Sequence, residues 1–304
     1  MNLRRIKDNI SAATNMALII LIGILLISGS SVVILIYDTS QNEKSPAVPT
    51  ARWGDKVLVD YIGRLADGRV FDTSLWEVAS NDALYPKSLS FKLKNQSAYQ
   101  PLQVQIGTGS TIRGFEEGLI GMKINETKVI EVPPQLGYGE LNVSKLITIH
   151  YMERIPVFED LNFTEFQERF ETTPVAGKTL THPQWGWDVT VLSVDYAADR
   201  IRVWNAPALG EKYPVYGADL GLKNTGWYVL VESYDSTTND GKGEIVLRHL
   251  IEQEDAGQIK GIDSSGTEFI LYEVNPDKNT VVLNYNGELV GQTLYFTVTL
   301  VDIL

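Results

Sequence analysis

The sequence predicts an α+β fold: an antiparallel half-barrel carrying one short helix, a further mainly β region, and a transmembrane helix near the N-terminus. Three observations carry this prediction. The stretch 104–140, VQIGTGSTIRGFEEGLIGMKINETKVIEVPPQLGYGE, reads as strand, glycine-rich turn, helix, hairpin and strand. Residues 16–37 form a run of 22 without a charge, dominated by Leu, Ile and Val. Residues 188–213 and 268–294 both read as strand, turn, strand, Asn, then a Gly before another strand, so a duplicated β module is expected.

The apolar run comes first in the chain. At about 1.5 Å rise per residue it spans roughly 33 Å, enough for a bilayer core. Arg4, Arg5 and Lys7 precede it, while Asp38 and Glu43 follow. The positive-inside rule makes 1–15 cytoplasmic and 16–37 a single-pass signal anchor in the cytoplasmic membrane, with the rest outside. A cleaved signal peptide is the rival, against which stand the length of the run and the lack of an A-x-A site. Residues 38–50 hold two prolines and no apolar periodicity, and read as a tether.

Setting aside Arg4, Arg5, Lys7 and Asp8, the chain keeps 23 Lys+Arg and 37 Asp+Glu, a net charge of −14. Such a surface argues against nucleic acid as a partner. With no cysteine there is no disulfide, thiol nucleophile or thiolate metal site. The only histidines, His150, His182 and His249, are widely separated, which argues against zinc. No metal and no cofactor are expected.

Val57 to Gly63 alternates as a strand, and 66–69 (ADGR) turns into a second strand ending at Phe71-Asp72-Thr73-Ser74. Ser74 and Glu77 have capping-box spacing, so a short helix is expected to start there. Gly107 and Gly109 bracket Thr108, a setting for positive φ at little steric cost. Ile112, Phe115 and Leu119 then recur at helical spacing. Lys123–Glu126 is a turn and 128–132 a strand, after which Gly137-Tyr138-Gly139 leaves one aromatic on a flexible loop.

Further along, Thr164 and Gln167 have capping-box spacing ahead of a helix over 165–170. Asn239-Asp240-Gly241 reads as a hairpin turn. The surrounding 235–244 lacks EF-hand spacing, and GTGSTIRG lacks the Lys-Ser/Thr of a P-loop. Trp185, Trp187, Trp204, Trp227 and Tyr228 would serve either as an exposed apolar surface for unfolded or partner chains or as a β core. For any single Trp the core is the more economical reading.

The ordered set Gly107, Ile112, Gly114, Phe115, Glu116, Gly118, Leu119, Gly121, Met122, Pro133, Pro134, Tyr138 and Gly139 resembles the FKBP-type peptidyl-prolyl isomerases. Tyr61, Gly63, Leu65, Asp67, Gly68, Phe71, Asp72 and Ser74 match the first half of the same family pattern. The family's closing strand does not follow Glu140; a matching Thr293–Val298 appears about 150 residues later. The resemblance therefore implies an isomerase domain of 51–140 plus 291–304, interrupted by an insert-in-flap domain at 141–290 of one or two related β modules. This looks like the SlyD-like, archaeal long-type branch, to which Tyr99-Gln100-Pro101-Leu102 is also similar. Gly287 and Glu288 stand where those relatives have His-Pro, a departure at the junction.

The resemblance implies a catalytic pocket of Tyr61, Phe71, Asp72, Leu102, Thr111, Ile112, Phe115, Tyr138 and Phe296. In it Phe115 would be the floor under a proline ring, Tyr138 would donate to a substrate carbonyl, and Asp72 would sit by the reacting amide. Thr111 and Leu102 replace the more usual Val and Phe at macrolide-contacting positions of the resembled family. Implied partners are proline-containing unfolded or partly folded polypeptides, met by an isomerase with chaperone activity. Two alternatives stand: a non-catalytic, membrane-anchored chaperone or partner-binding module on the same scaffold, and a structural surface protein that only presents a partner site.

Overall fold

The computed structural model describes residues 49–304. Residues 1–15, the predicted transmembrane segment 16–37 and nearly all of the 38–50 tether lie outside them. Among the described residues no helix is long and apolar enough to cross a membrane.

The half-barrel is built around strand β1 (Lys56–Arg64). Val57 and Val59 alternate inward and are fully buried. After the turn, β2 (Val70–Thr73) pairs antiparallel with the far end of β1, Ile62 opposite Thr73. Helix α1 (Trp76–Ala79) follows. Ser74 does not cap it: Leu75 holds that position without a side-chain bond. Ser74 Oγ instead donates to Asp60 Oδ1 at 2.8 Å and accepts from the Tyr61 N–H at 3.0 Å. The neighbouring strand offers the hydroxyl its partners, so the local capping signal loses.

Strand β3 (Leu102–Gln105) pairs with the near end of β1, and helix α2 (Arg113–Leu119) then packs on β4 (Thr127–Val132). Two glycines allow this approach. A Cβ on Gly118 would meet Ile130 Cγ2 at 2.4 Å, and one on Gly114 would meet Val132 Cγ1 at 2.6 Å. The chain then leaves the sheet and returns with its last strand, Leu294–Ile303, which pairs with both β1 and β4. Phe115, Leu119, Val132, Leu294, Phe296 and Leu300 close the core between helix and sheet.

Between β4 and that last strand lies a lobe of three four-stranded sheets. Strands β5 (Leu146–His150), β6 (Met152–Ile155) and β7 (Phe158–Leu161) run consecutively, yet each edges a different sheet. Helix α3 (Phe163–Phe170) follows, and its cap differs from the predicted one. Asn162 Oδ1 accepts from the Glu165 N–H, and Glu165 accepts in return from the Asn162 N–H. Asn is the stronger cap, so Thr164 falls inside the helix rather than before it.

Three meanders complete the sheets: β8 (Thr179–Thr181), β9 (Asp188–Asp195) and β10 (Arg200–Asn205); β11 (Lys212–Val215), β12 (Trp227–Asp235) and β13 (Glu244–His249); β14 (Lys260–Ile262), β15 (Glu268–Asn275) and β16 (Thr280–Asn284). They pair first-in with last-out: β7 with β10, β6 with β13 and β5 with β16. The last strand of the molecule is then β17.

The three meanders are copies of one unit. Gly177, Gly210 and Gly257, all with positive φ, donate to the carbonyls of Val191, Val231 and Leu271 respectively. Each middle strand carries a bulge that leaves one residue unpaired: Leu192, Glu232 and Tyr272. The sequence shows two copies, and the middle one is obscured by its loops. Its hairpin loop has eight residues (236–243), against four in each of the others (196–199 and 276–279). The signal that remains is Val229-x-Val231 and Ile245-x-Leu247 between Gly210 and Gly257.

One core joins all three sheets, with Val191 and Val203, Val231 and Leu247, Leu271 and Leu283 at equivalent positions. Trp185, Trp187 and Trp227 are buried in it, so the exposed-surface reading fails for these three. For two of them the buried indole nitrogen is paired: Trp187 Nε1 donates to Asn205 Oδ1 at 3.0 Å and Trp227 Nε1 to His249 Nδ1 at 2.8 Å. Trp204 and Tyr228 remain partly exposed.

At the junction the Gly291 N–H donates to the Gly139 carbonyl at 2.8 Å. Glu288 has a structural role here. Its largely buried carboxylate accepts from the Leu89 and Ser90 N–H groups at 3.1 and 2.6 Å. It also lies 3.6 Å from Arg69 Nη1, which donates to the Gly257 carbonyl at 2.8 Å. Glu288→Ala would leave two amides without their acceptor, an expected loss of about 1–3 kcal/mol. A lowered urea midpoint relative to the parent chain checks this.

Candidate active site

On the concave face of the half-barrel lies a cavity of about 320 Å³. The structure gathers around it all nine side chains named above, Tyr61, Phe71, Asp72, Leu102, Thr111, Ile112, Phe115, Tyr138 and Phe296. They arrive from β1, β2, β3, the approach to α2, α2 itself, the loop after β4, and β17. No two neighbouring elements alone would make the pocket.

Its floor is a set of aromatic rings meeting edge to face. Phe115 and Phe296 have centroids 4.9 Å apart at 67°, Phe71 and Phe296 5.4 Å at 90°, and Tyr61 and Phe115 5.8 Å at 73°. Edge-to-face pairs stabilise by about 0.5–1.5 kcal/mol each beyond their burial. Gly63 makes room for them: a Cβ there would lie 2.7 Å from the Phe71 ring and 3.1 Å from Phe296. Gly63→Ala is therefore expected to push Phe71 into the cavity, at about 1–3 kcal/mol of overpacking. A thermal midpoint for Gly63→Ala below that of the parent chain checks this.

The polar wall is narrow. Tyr61 Oη donates to Asp72 Oδ2 at 2.7 Å, and Lys94 Nζ lies 3.3 Å from Asp72 Oδ1. Burial, and then the Asp72 charge, push the Tyr61 hydroxyl far above its ordinary range. Tyr138 is about half exposed at the rim, and burial followed by the Asp72 charge raises it too. Both hydroxyls thus stay protonated at neutral pH. The Tyr138 loop is set by the short turn Pro134–Leu136, where the Gly139 N–H, at φ +88°, donates back to the Pro134 carbonyl.

Three contributors were not assigned from sequence. Lys94 had no local signal at all. Gly63 is visible only as a motif position. Glu116 is the third: buried on α2, it accepts from the N–H groups of Gly107, Gly109 and Thr111 at 2.7, 3.2 and 2.8 Å and from the Ser110 and Thr111 hydroxyls. Burial alone would raise its pKa, but the bonds from Thr111, Gly107 and Gly109 bring it below the usual carboxylate range. The signal was present: two positive-φ glycines, φ +91° and +71°, aim free N–H groups at an acidic residue seven to nine positions on.

A curved antiparallel sheet packed on one helix thus carries an aromatic cavity with a protonated hydroxyl at its rim. Residues 48–164 match the family profile of the FKBP-type peptidyl-prolyl cis-trans isomerase. The chain is 39% identical over 112 residues to a short-type peptidyl-prolyl cis-trans isomerase of Methanocaldococcus jannaschii, covering 36% of this chain and 62% of that one. It is 34% identical over 97 residues to FK506-binding protein 2 of Yarrowia lipolytica, covering 32% and 53%. It is 35% identical over 98 residues to FK506-binding protein 1A of Aspergillus fumigatus, covering 32% and 69%. The chain belongs to the FKBP-type peptidyl-prolyl cis-trans isomerase family. It spans about half to two thirds of the length of these curated relatives.

Proposed function

We propose that the chain is a peptidyl-prolyl cis-trans isomerase acting on proline-containing, unfolded or partly folded polypeptides. The observation that carries this reading is the aromatic cavity, with Phe115 at its floor and Tyr138 at its rim. The obstacle to prolyl exchange is a rotational barrier of about 18–20 kcal/mol around a partial double bond. No nucleophile or net proton transfer is needed. Burying the amide among Phe71, Phe115 and Phe296 removes water from the charge-separated planar form and favours the twisted one. The Tyr138 hydroxyl donates to a substrate carbonyl, and Asp72 holds Tyr61 while polarising the site.

In this reading the chain is SlyD-like and of archaeal long type, with the three-sheet lobe as an insert-in-flap domain that holds unfolded chain and adds chaperone activity. Residues 16–37 anchor it in the cytoplasmic membrane with the isomerase outside. The FK506-binding names of two relatives are not carried over to this chain, because Thr111 and Leu102 line the cavity where the resembled family more often has Val and Phe.

The test is proline-limited refolding of a model protein by the fragment from Ser45 onward. Acceleration that is lost in Tyr138→Phe combined with Phe115→Ala supports catalysis. A folded parent fragment that gives no acceleration leaves a binding module.

A further inference from the structure

A larger cavity, about 610 Å³, opens in the three-sheet lobe beside α3, β6 and β7. Four carboxylates line it, Glu153, Glu159, Glu168 and Glu171, against one guanidinium, Arg169. Two of the carboxylates are committed. Glu159 accepts from Arg169 Nη1 and from Asn205 Nδ2, both at 2.7 Å, and Glu153 lies 3.0 Å from His249 Nε2. Glu168 and Glu171 pair with no cation among the described residues, Arg169 between them having turned to Glu159. Both stand at the C-terminal end of α3, where the helix dipole adds further negative potential.

His182 provides an independent feature. It is 5% exposed and lines the same cavity. Its Nδ1 accepts from the N–H groups of Gln184 and Trp185 at 3.2 and 3.3 Å, which leaves the ring proton on Nε2. Burial, and then the Arg169 charge, bring its pKa down to about 3, so the ring is a neutral donor at physiological pH. Nε2 has no protein partner among the described residues. Every fully buried side-chain nitrogen and oxygen there does have one, so Nε2 must look onto open space, and the space beside it is the cavity.

The site thus combines uncompensated carboxylates with one aimed N–H donor. A metal ion fits poorly, since no three His, Asp or Glu among the described residues converge as ligands. We propose that this cavity is a second binding site, taking a basic residue of a polypeptide. The Lys or Arg side chain lies against Glu168 and Glu171, while a backbone carbonyl accepts from His182 Nε2. A polyamine shares the cationic chemistry but has no acceptor for that donor, so a peptide fits better. The inference locates a contact for the lobe and needs no catalysis in the half-barrel.

The test is calorimetric titration of the full-length chain with acetyl-Gly-Lys-Gly-amide, its norleucine counterpart and spermidine. None contains proline, so the outcome is separate from the isomerase reading. The lysine peptide is expected to bind, and the norleucine peptide to bind at least about tenfold more weakly for want of its charge-assisted contacts. Glu168→Gln with Glu171→Gln should weaken the lysine peptide similarly, and spermidine should bind less tightly than that peptide. Both glutamates are exposed, so the double variant should keep its circular dichroism spectrum and its effect on refolding. The lysine peptide should also shift the His182 Nε2 proton resonance. No binding of the lysine peptide, equal binding of the norleucine peptide, unchanged affinity in the double variant, or tighter binding of spermidine would each overturn the proposal.

Discussion

Phe115→Ala is expected to cost about 3–5 kcal/mol of stability, the usual range for emptying a buried aromatic site, and to abolish acceleration of proline-limited refolding. The ring is 2% exposed and touches both Tyr61 and Phe296, so its removal opens a void under the pocket and frees two of the remaining walls. Relaxation cannot close that void cheaply. Gly114 and Gly118 already hold α2 against Val132 and Ile130, leaving the helix little room to sink further. Phe115→Leu separates the two effects, since it keeps most of the apolar volume but loses the edge-to-face pairs. Denaturant unfolding and refolding assays on the same preparations should show Leu retaining most of the stability and Ala little of it. An Ala variant that is stable and fully active would remove Phe115 from the mechanism.

Glu116→Ala should destabilise the half-barrel by about 2–4 kcal/mol, because several N–H and hydroxyl donors lose one shared, charged acceptor. Water can reach the exposed Gly107 and Gly109 once the turn opens, which keeps the loss below that of a fully buried ion pair. The site suffers as well: the same carboxylate holds Thr111, and with it Ile112, against the cavity. The pH dependence follows from the sign of the shift. The folded-state pKa of Glu116 is depressed, so its contribution is complete above the unfolded value of about 4.3 and is lost as pH falls through the lower folded value. Unfolding curves between pH 7 and pH 3 should therefore show Glu116→Gln losing less stability on acidification than the parent. An identical slope in both would sink the assignment.

Much of the half-barrel could be read directly because its signals are local. Alternation at Val57 and Val59, helical spacing at Ile112, Phe115 and Leu119, and the glycines at 107 and 109 each specify a conformation within a few residues. Capping was less legible. Ser74 and Thr164 both have the right spacing, yet a strand neighbour claims the first and Asn162 outcompetes the second. Lys94 and Glu288 left no signal, since each acts on a group 22 to 199 positions away that only folding brings near.

The amino-acid order alone specifies the set of residue types that can make this pocket: the rings, the acid, the rim tyrosine and the glycines that must have no side chain. Their order along the chain carries the family resemblance. The closing strand at 293–298 is legible too, but folding alone reveals that it pairs with both β1 and β4, why three short strands in a row serve three different sheets, and that the β unit occurs three times. The physical reason is range. Backbone preference and periodicity are set by adjacent residues, whereas the pairing of β5 with β16 or β4 with β17 is fixed by which apolar faces can share one core. That burial is non-directional and depends on every sheet at once, so no stretch of the chain encodes it alone.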